Sequence, residues 1–397
     1  MLPFLLLGLS LIAGLTQSEA DAEVAKVLPE LAAIRGIAFQ SKVPVTVIDD
    51  KRARDYALAR FRRMTPESKI RADEIAFRLL GLVPKDMDVL KTLLDVLEEQ
   101  AGGYYDPGTK SFYLLDDMPK DMTPLLTAHE MTHALEDQRY GLDARIEKLV
   151  DDDDASFALS SLIEGSATLA AAAYVAAGIG SGALDADRLA AVGETMSTDR
   201  LNAMPMALRR QLLGPYILGM TFLVRGEPLA GPFPKADVDA AWSRPPRSSE
   251  QILHPEKYWD KKRRDDPKRV LIPNPSKALG EGWRRSGSGI LGELTLGGLV
   301  GAKTPEGADL LTGGSSWTNA AASGWGGDRF EVWARGESAV VLLATVWDTV
   351  KDASEFEAAL PAGREGFGVR RAGDRVGIVA GPAGDRRDAL LALLVAP

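Results

Sequence analysis

The stretch from Ala155 to Ala177 is almost wholly apolar or small, so as a helix it must be buried on most of its sides. Between Ala155 and Leu184 it carries a single acidic side chain, Glu164, within Leu162-Ile163-Glu164-Gly165-Ser166-Ala167. A lone carboxylate in an apolar core is costly unless a cation or a metal meets it. Its neighbours one turn away, Ser160, Ser161, Ala167 and Thr168, are all small and leave room for a site packed against that face. Either an arginine from elsewhere pairs with Glu164 or a metal does.

Upstream lies His129-Glu130-Met131-Thr132-His133, which uses two of the three histidines in the chain. Thr123 as N-cap, Pro124 in the first helical position and Gly141 as the left-handed stop bound a helix from Pro124 to about Tyr140. Residues four apart share a helix face, so both imidazoles can meet one ion at roughly 2.0–2.1 Å. Glu130 projects beside that face, within reach of an activated water. Cysteine is absent, so any metal must be held by nitrogen and oxygen. A catalytic zinc keeps three protein ligands and one open position. A third histidine six residues past His133 would fall at Arg139, so Glu164 is the expected third ligand. Glu136, three residues after His133, is expected to be exposed or to support the site from behind.

A His-Glu-x-x-His helix followed by a glutamate on a later helix resembles the gluzincin group of zinc metallopeptidases. More narrowly, residues 129–138 and 164–167 resemble the His-Glu-x-x-His-Ala-Leu-x-Asp-Gln and Glu-Gly-x-Ala patterns of secreted, largely uncharacterised bacterial proteins. The likeness continues in Leu253 to Tyr258 and in Gly324 to Arg329. Where many such proteins carry an acid after the Glu-Gly pair, this chain has Ser166. The resemblance implies a zincin-like, mainly helical catalytic domain with a small mixed sheet. It also implies Zn2+ on His129, His133 and Glu164, and amide hydrolysis by a zinc-activated water with Glu130 as general base. An oxyanion stabiliser is needed as well, and His254 is the first candidate, Tyr216 the second. The strand Ser111 to Leu115 is expected to be an edge on which an extended polypeptide substrate pairs. Two other readings stay open: a non-catalytic envelope or scaffold protein whose metal site is closed by a fourth ligand, and a zinc hydrolase of non-peptide amides or esters.

The chain has 397 residues, too many for one typical core. Its net charge of −9 offers no general attraction to nucleic acid or anionic lipid, and both are set aside as partners. Lys261-Lys262-Arg263-Arg264 runs straight into Asp265-Asp266 and reads as solvated surface. Asp151 to Asp154 lacks the spacing and glycine of a calcium loop and reads as solvated charge at a helix start. Residues 1–20 hold an apolar stretch from Pro3 to Leu15 and end in Ser18-Glu19-Ala20, the pattern of a cleaved secretory leader. That stretch is too short to cross about 30 Å of hydrocarbon at 1.5 Å per residue. An extracytoplasmic location with no stable membrane span follows, and an uncleaved amphipathic or buried N-terminal helix is the alternative.

The rest reads as α+β. Helical spacing covers residues 21–39, a strand covers 43–48, and two or three helices reach about Gln100. Asp106-Pro107-Gly108 turns a hairpin over residues 102–115, and a helix spans Arg200 to Leu223. A boundary near Pro275 to Gly287 separates a catalytic domain, 21–280, from a smaller α+β domain, 286–397. In the latter, helices are expected at 289–300, 352–360 and 385–394, and strands at 329–334, 339–346 and 366–379.

Overall fold

A computed structural model describes residues 14–100, 102–195, 199–226, 231–302, 317–361 and 363–396. It is an α+β protein with a three-stranded and a five-stranded sheet. Residues 1–13 of the expected leader lie outside the described residues. The remainder of that leader opens helix α1, Gln17–Arg35, where Thr16 and Glu19 form a capping box and Ala20 is fully buried. Gln17 also bonds Val45 O at 3.0 Å and Val47 N at 3.0 Å, so Ser18-Glu19-Ala20 sits inside the first, anchored turn.

Strand β1, Val45–Ile48, leads to helices α2, Asp50–Met64, α3, Glu67–Leu80, and α4, Val89–Gln100. The hairpin forms as expected, with β2 at Gly103–Asp106 and β3 at Ser111–Leu115. Asp106 closes its turn by accepting from Gly108 N and Thr109 N, while Arg60 holds the same carboxylate at 3.0 Å. The strand order is β1-β3-β2, with β1 parallel and β2 antiparallel to β3. Ser111 to Leu115 is therefore the central strand and not the expected edge, because β1 returns to take its free side.

Helix α5 spans Thr123–Tyr140 and ends at Gly141 with φ 67°, where a residue without Cβ suits the left-handed turn. Its cap lies one residue earlier than expected. Thr123 is already helical, its N–H and hydroxyl both turned back to Pro119 O, and Met122 takes the N-cap position. After α6, Leu142–Ile146, comes the long α7, Asp153–Ser181. The aspartates before it are not the solvated run expected. Asp152 caps the helix through Ala155 N, Asp153 bonds Lys69 at 2.8 Å, and Asp154 is buried on Ser249 N at 2.9 Å. Among the described residues α7 is the one helix long and apolar enough to cross a membrane. Its packing accounts for that composition, since α1 and α5 lie against it along with the helix that follows at Met206–Leu223.

Helix α8, Ala186–Thr195, is followed by α9, Asp199–Ala203, and α10, Met206–Leu223. One continuous helix was expected here; Pro205 breaks it, because proline cannot donate to the preceding turn. Where α10 crosses α7 the backbones touch: a Cβ on Gly219 would stand 2.0 Å from Ser161 O and one on Gly165 2.3 Å from Gly219 C. Gly219→Ala must push the two helices apart and is expected to cost about 1–3 kcal/mol, read as a lower denaturant midpoint. An unchanged midpoint would mean that the crossing is looser than described.

Short helices α11, Lys235–Ser243, α12, Ser249–Leu253, α13, Glu256–Trp259, and α14, Ser276–Leu279, carry the proline-rich stretch. The basic cluster within it is answered by acids, Arg263 by Glu256 and Arg264 by Asp266. The C-terminal part comprises β4, Arg284–Gly289, α15, Gly292–Leu299, β5, Trp325–Arg335, and β6, Ser338–Trp347. Helix α16, Val350–Ala359, strands β7, Phe367–Ala372, and β8, Arg375–Ala380, and helix α17, Arg387–Leu394, complete it. The sheet order is β4-β5-β6-β8-β7, antiparallel throughout. β4 falls where a linker was expected. Helix α17 covers one face through Leu390, Leu391 and Leu394. The other face packs on α16 and, from the expected first domain, on Ala72, Ala76 and Leu80 of α3. A single core thus runs across the expected boundary.

Candidate metal centre

His129 and His133 lie one turn apart on α5, and both are buried. Their rings meet edge to face with centroids 4.6 Å apart, which brings the two Nε2 atoms to 3.0 Å. Helix α7 delivers Glu164 to the same point. Its Oε2 stands 3.2 Å from His129 Nε2 and 3.3 Å from His133 Nε2. The alternative partner for Glu164, a buried arginine, is absent from its contacts among the described residues.

Those three donor atoms form a nearly equilateral triangle with edges of 3.0, 3.2 and 3.3 Å. For a tetrahedral ion with ligands at roughly 2.0–2.1 Å, any two ligand atoms stand about 3.3 Å apart. Two imidazole nitrogens and one carboxylate oxygen are also a donor set that zinc accepts. The residues therefore fit the ion. Glu130 offers an oxygen within 4.8 Å of the two imidazoles as well, so it competes for the third place. Glu164 Oε2 stands 3.2 and 3.3 Å from the two nitrogens, and Glu130 Oε2 accepts the backbone N–H of Tyr105 at 2.6 Å.

The protonation states agree with this division. Burial disfavours charge on His129 more than its hydrogen bond with Glu164 favours it, and the imidazole stays neutral down to about 4. Burial would raise the Glu164 carboxyl, but the charge of His133 and hydrogen bonds from both imidazoles outweigh it and hold the group at about 2. His133 also loses hydration, yet the Glu164, Glu130 and Glu136 carboxylates prevail and raise it.

Two networks hold the cluster in place, and of the two alternatives expected for Glu136 the structure shows the supporting one. Glu136 is fully buried, not exposed. Its Oε1 accepts from Arg35 Nε at 2.7 Å and from Ser166 Oγ at 2.6 Å, which clamps α1, α5 and α7 together beside the ligands. Ser166 is thus a donor to Glu136. Asp137 accepts from Tyr105 Oη at 2.8 Å, Lys110 Nζ at 2.6 Å and Leu142 N at 2.9 Å. It fixes β2 over α5, and β2 in turn holds Glu130. The signal that could have found the first network is the arginine in the last turn of α1, a residue too costly to bury without an acid.

Tyr216 of α10 joins the cluster, its ring 6.0 Å from that of His129. Burial, then the neighbouring Glu164 and Glu130 charges, push its phenol well above the usual range, so it remains a proton donor. His254 does not join. At the end of α12 its Nε2 bonds Glu293 Oε1 at 2.9 Å, and Thr318 Oγ1 reaches the same oxygen. Helix α12 packs on α15, so the imidazole is drawn to the C-terminal part of the chain. A second acidic group, Glu250, Asp265 and Asp348, surrounds Lys257 Nζ at 2.6, 3.1 and 3.0 Å, so an ammonium already balances it. Glu164 and Tyr216 also line a groove of about 240 Å³ between α7 and α10, which reaches the cluster at Glu164.

A family model described as a domain of unknown function (DUF8575) matches residues 281–391, the five-stranded sheet with its helices. No curated protein and no solved structure matches the chain.

Proposed function

We propose that the protein is a zinc-dependent hydrolase with a zincin-like centre, and that its substrates are polypeptides. The triangle of donor atoms on His129, His133 and Glu164, with Glu130 beside it, carries this reading. When bound, zinc supplies a Lewis acid that polarises a carbonyl and lowers the pKa of water toward about 7. Glu130 takes the proton of the attacking water on Oε1, since Oε2 is held by Tyr105 N–H, and passes it to the departing amine. The Tyr216 phenol, protonated and beside the ligands, donates to the oxyanion in the role first expected of His254. Burial of the cluster keeps bulk water away and strengthens each of these interactions.

Catalysis needs an open fourth position, whereas a structural site is closed by a fourth ligand. Among the described residues the cluster holds Glu130 but neither His254 nor a further histidine, which favours catalysis over the scaffold reading. With the apolar leader, the reading places the protein outside the cytoplasm; N-terminal sequencing of exported protein checks this, and retention of the chain in the cytoplasm contradicts it.

Zinc-loaded protein is expected to cleave members of a mixed peptide library, to stop on chelation and to recover with zinc. Glu164→Ala should weaken zinc binding by more than the roughly 10–100-fold that loss of an outer-shell partner costs. Hydrolysis of small esters or non-peptide amides alone would replace the peptidase reading.

A further inference from the structure

The three-stranded sheet offers a peptide little purchase. Of its two outer strands, β2 is buried along its whole length with the Tyr105 N–H taken by Glu130, and β1 gives Val45 O and Val47 N to the Gln17 side chain. The open approach to the cluster lies between two helices. α7 and α10 meet backbone to backbone at Gly165 and Gly219, and N-terminal to that contact the groove runs from Glu164 to Asp153. Over those residues α7 rises about 16 Å at 1.5 Å per residue. That is the length of about five residues of extended chain at roughly 3.3 Å each. An extended chain turns alternate side chains to one face, so two or three would point down into the groove.

The lining states what those side chains are. Phe157 and Leu212 provide apolar floor, and Ser156, Ser160 and Gln211 provide neutral hydrogen-bonding groups. Apart from the cluster's own Glu164, the charged residue in the lining is Asp153, whose carboxylate is held by Lys69 at 2.8 Å. At the far end Gln211 donates to Thr295 of α15 at 2.8 Å, so the C-terminal part of the chain bounds the groove there.

We propose that the α7–α10 groove, and not a strand edge, is the lane in which an extended polypeptide lies, that it takes uncharged side chains, and that α15 closes its far end. The proposal rests on the hydrolase reading above and gives the matched C-terminal domain a place in substrate recognition.

The chain has no cysteine, so Ser156→Cys places a single thiol in the groove, to be labelled with a bulky maleimide after folding. Labelling is expected to raise KM for an uncharged octapeptide about tenfold or more, and to change kcat/KM for a blocked dipeptide amide less than about twofold. In unlabelled protein that also carries Glu130→Gln, the octapeptide should slow labelling, a readout independent of turnover. An equal effect on both substrates, or no protection from labelling, overturns the lane. Equal protection by an octapeptide with lysines at alternate positions overturns its preference for uncharged side chains. If the wild type cleaves neither peptide, the hydrolase reading fails, and the labelling protection still decides the groove.

Discussion

Glu130→Gln should retain zinc and lose peptide hydrolysis by roughly 10²–10⁴-fold, the usual contribution of a positioned general base. The substitution keeps shape and volume, and its side-chain oxygen can still accept the Tyr105 N–H that now holds the carboxylate at 2.6 Å. What disappears is the capacity to take a proton. The loss should fall on kcat, with KM little changed, because the residue binds no substrate group that the amide could not bind. Steady-state kinetics on a peptide that the wild type cleaves, with metal content measured in parallel, checks this. A variant as active as wild type would remove Glu130 from the chemistry, and a variant without zinc would mean that Glu130 is itself a ligand.

The second large effect concerns stability. Arg35→Ala removes the cation that meets Glu136 at 2.7 Å, where both side chains are fully buried. Ser166 Oγ still donates to that carboxylate, but one neutral hydrogen bond does not offset the lost hydration of a charge. The expected destabilisation is about 3–5 kcal/mol. The cost should fall largely on the orphaned acid, so Arg35→Ala with Glu136→Gln should be more stable than Arg35→Ala alone. Denaturant titration of the four proteins of this cycle measures it. If the double variant is no better than the single, the cost arises from lost packing of the long Arg35 side chain.

Much of this was legible in the residues because the relevant signals are local. His129 and His133 are set four apart within a helix whose Pro124 and Gly141 mark its ends, and helical geometry alone then brings the rings together. Glu164 could be read because a single acid in an apolar helix demands a partner, and the partner is the imidazole pair. The hairpin followed from the chemistry of Asp106, Pro107 and Gly108, all of them in one turn. What was not legible depends on contacts between distant parts of the chain. Nothing near residue 111 says that β1 will pair with β3 and take over the outer position on that side of the sheet. Nothing near Glu136 says that Arg35 arrives from a hundred residues away. Ser248 and the short α12 place His254, but the group that claims it, Glu293, lies beyond the expected domain boundary. The same holds for α3, whose Ala72, Ala76 and Leu80 pack on the five-stranded sheet from across that boundary.

His129, His133 and Glu164 are proposed to hold one zinc ion. Elemental analysis of protein folded with zinc and then freed of loosely bound metal tests it most directly. About one zinc per chain is expected for the wild type and for Glu130→Gln, with the metal lost from His133→Ala and Glu164→Ala variants that remain folded by circular dichroism. A folded wild-type chain that holds no zinc, or a Glu164→Ala chain that keeps it as firmly as the wild type, would rule out this ligand set.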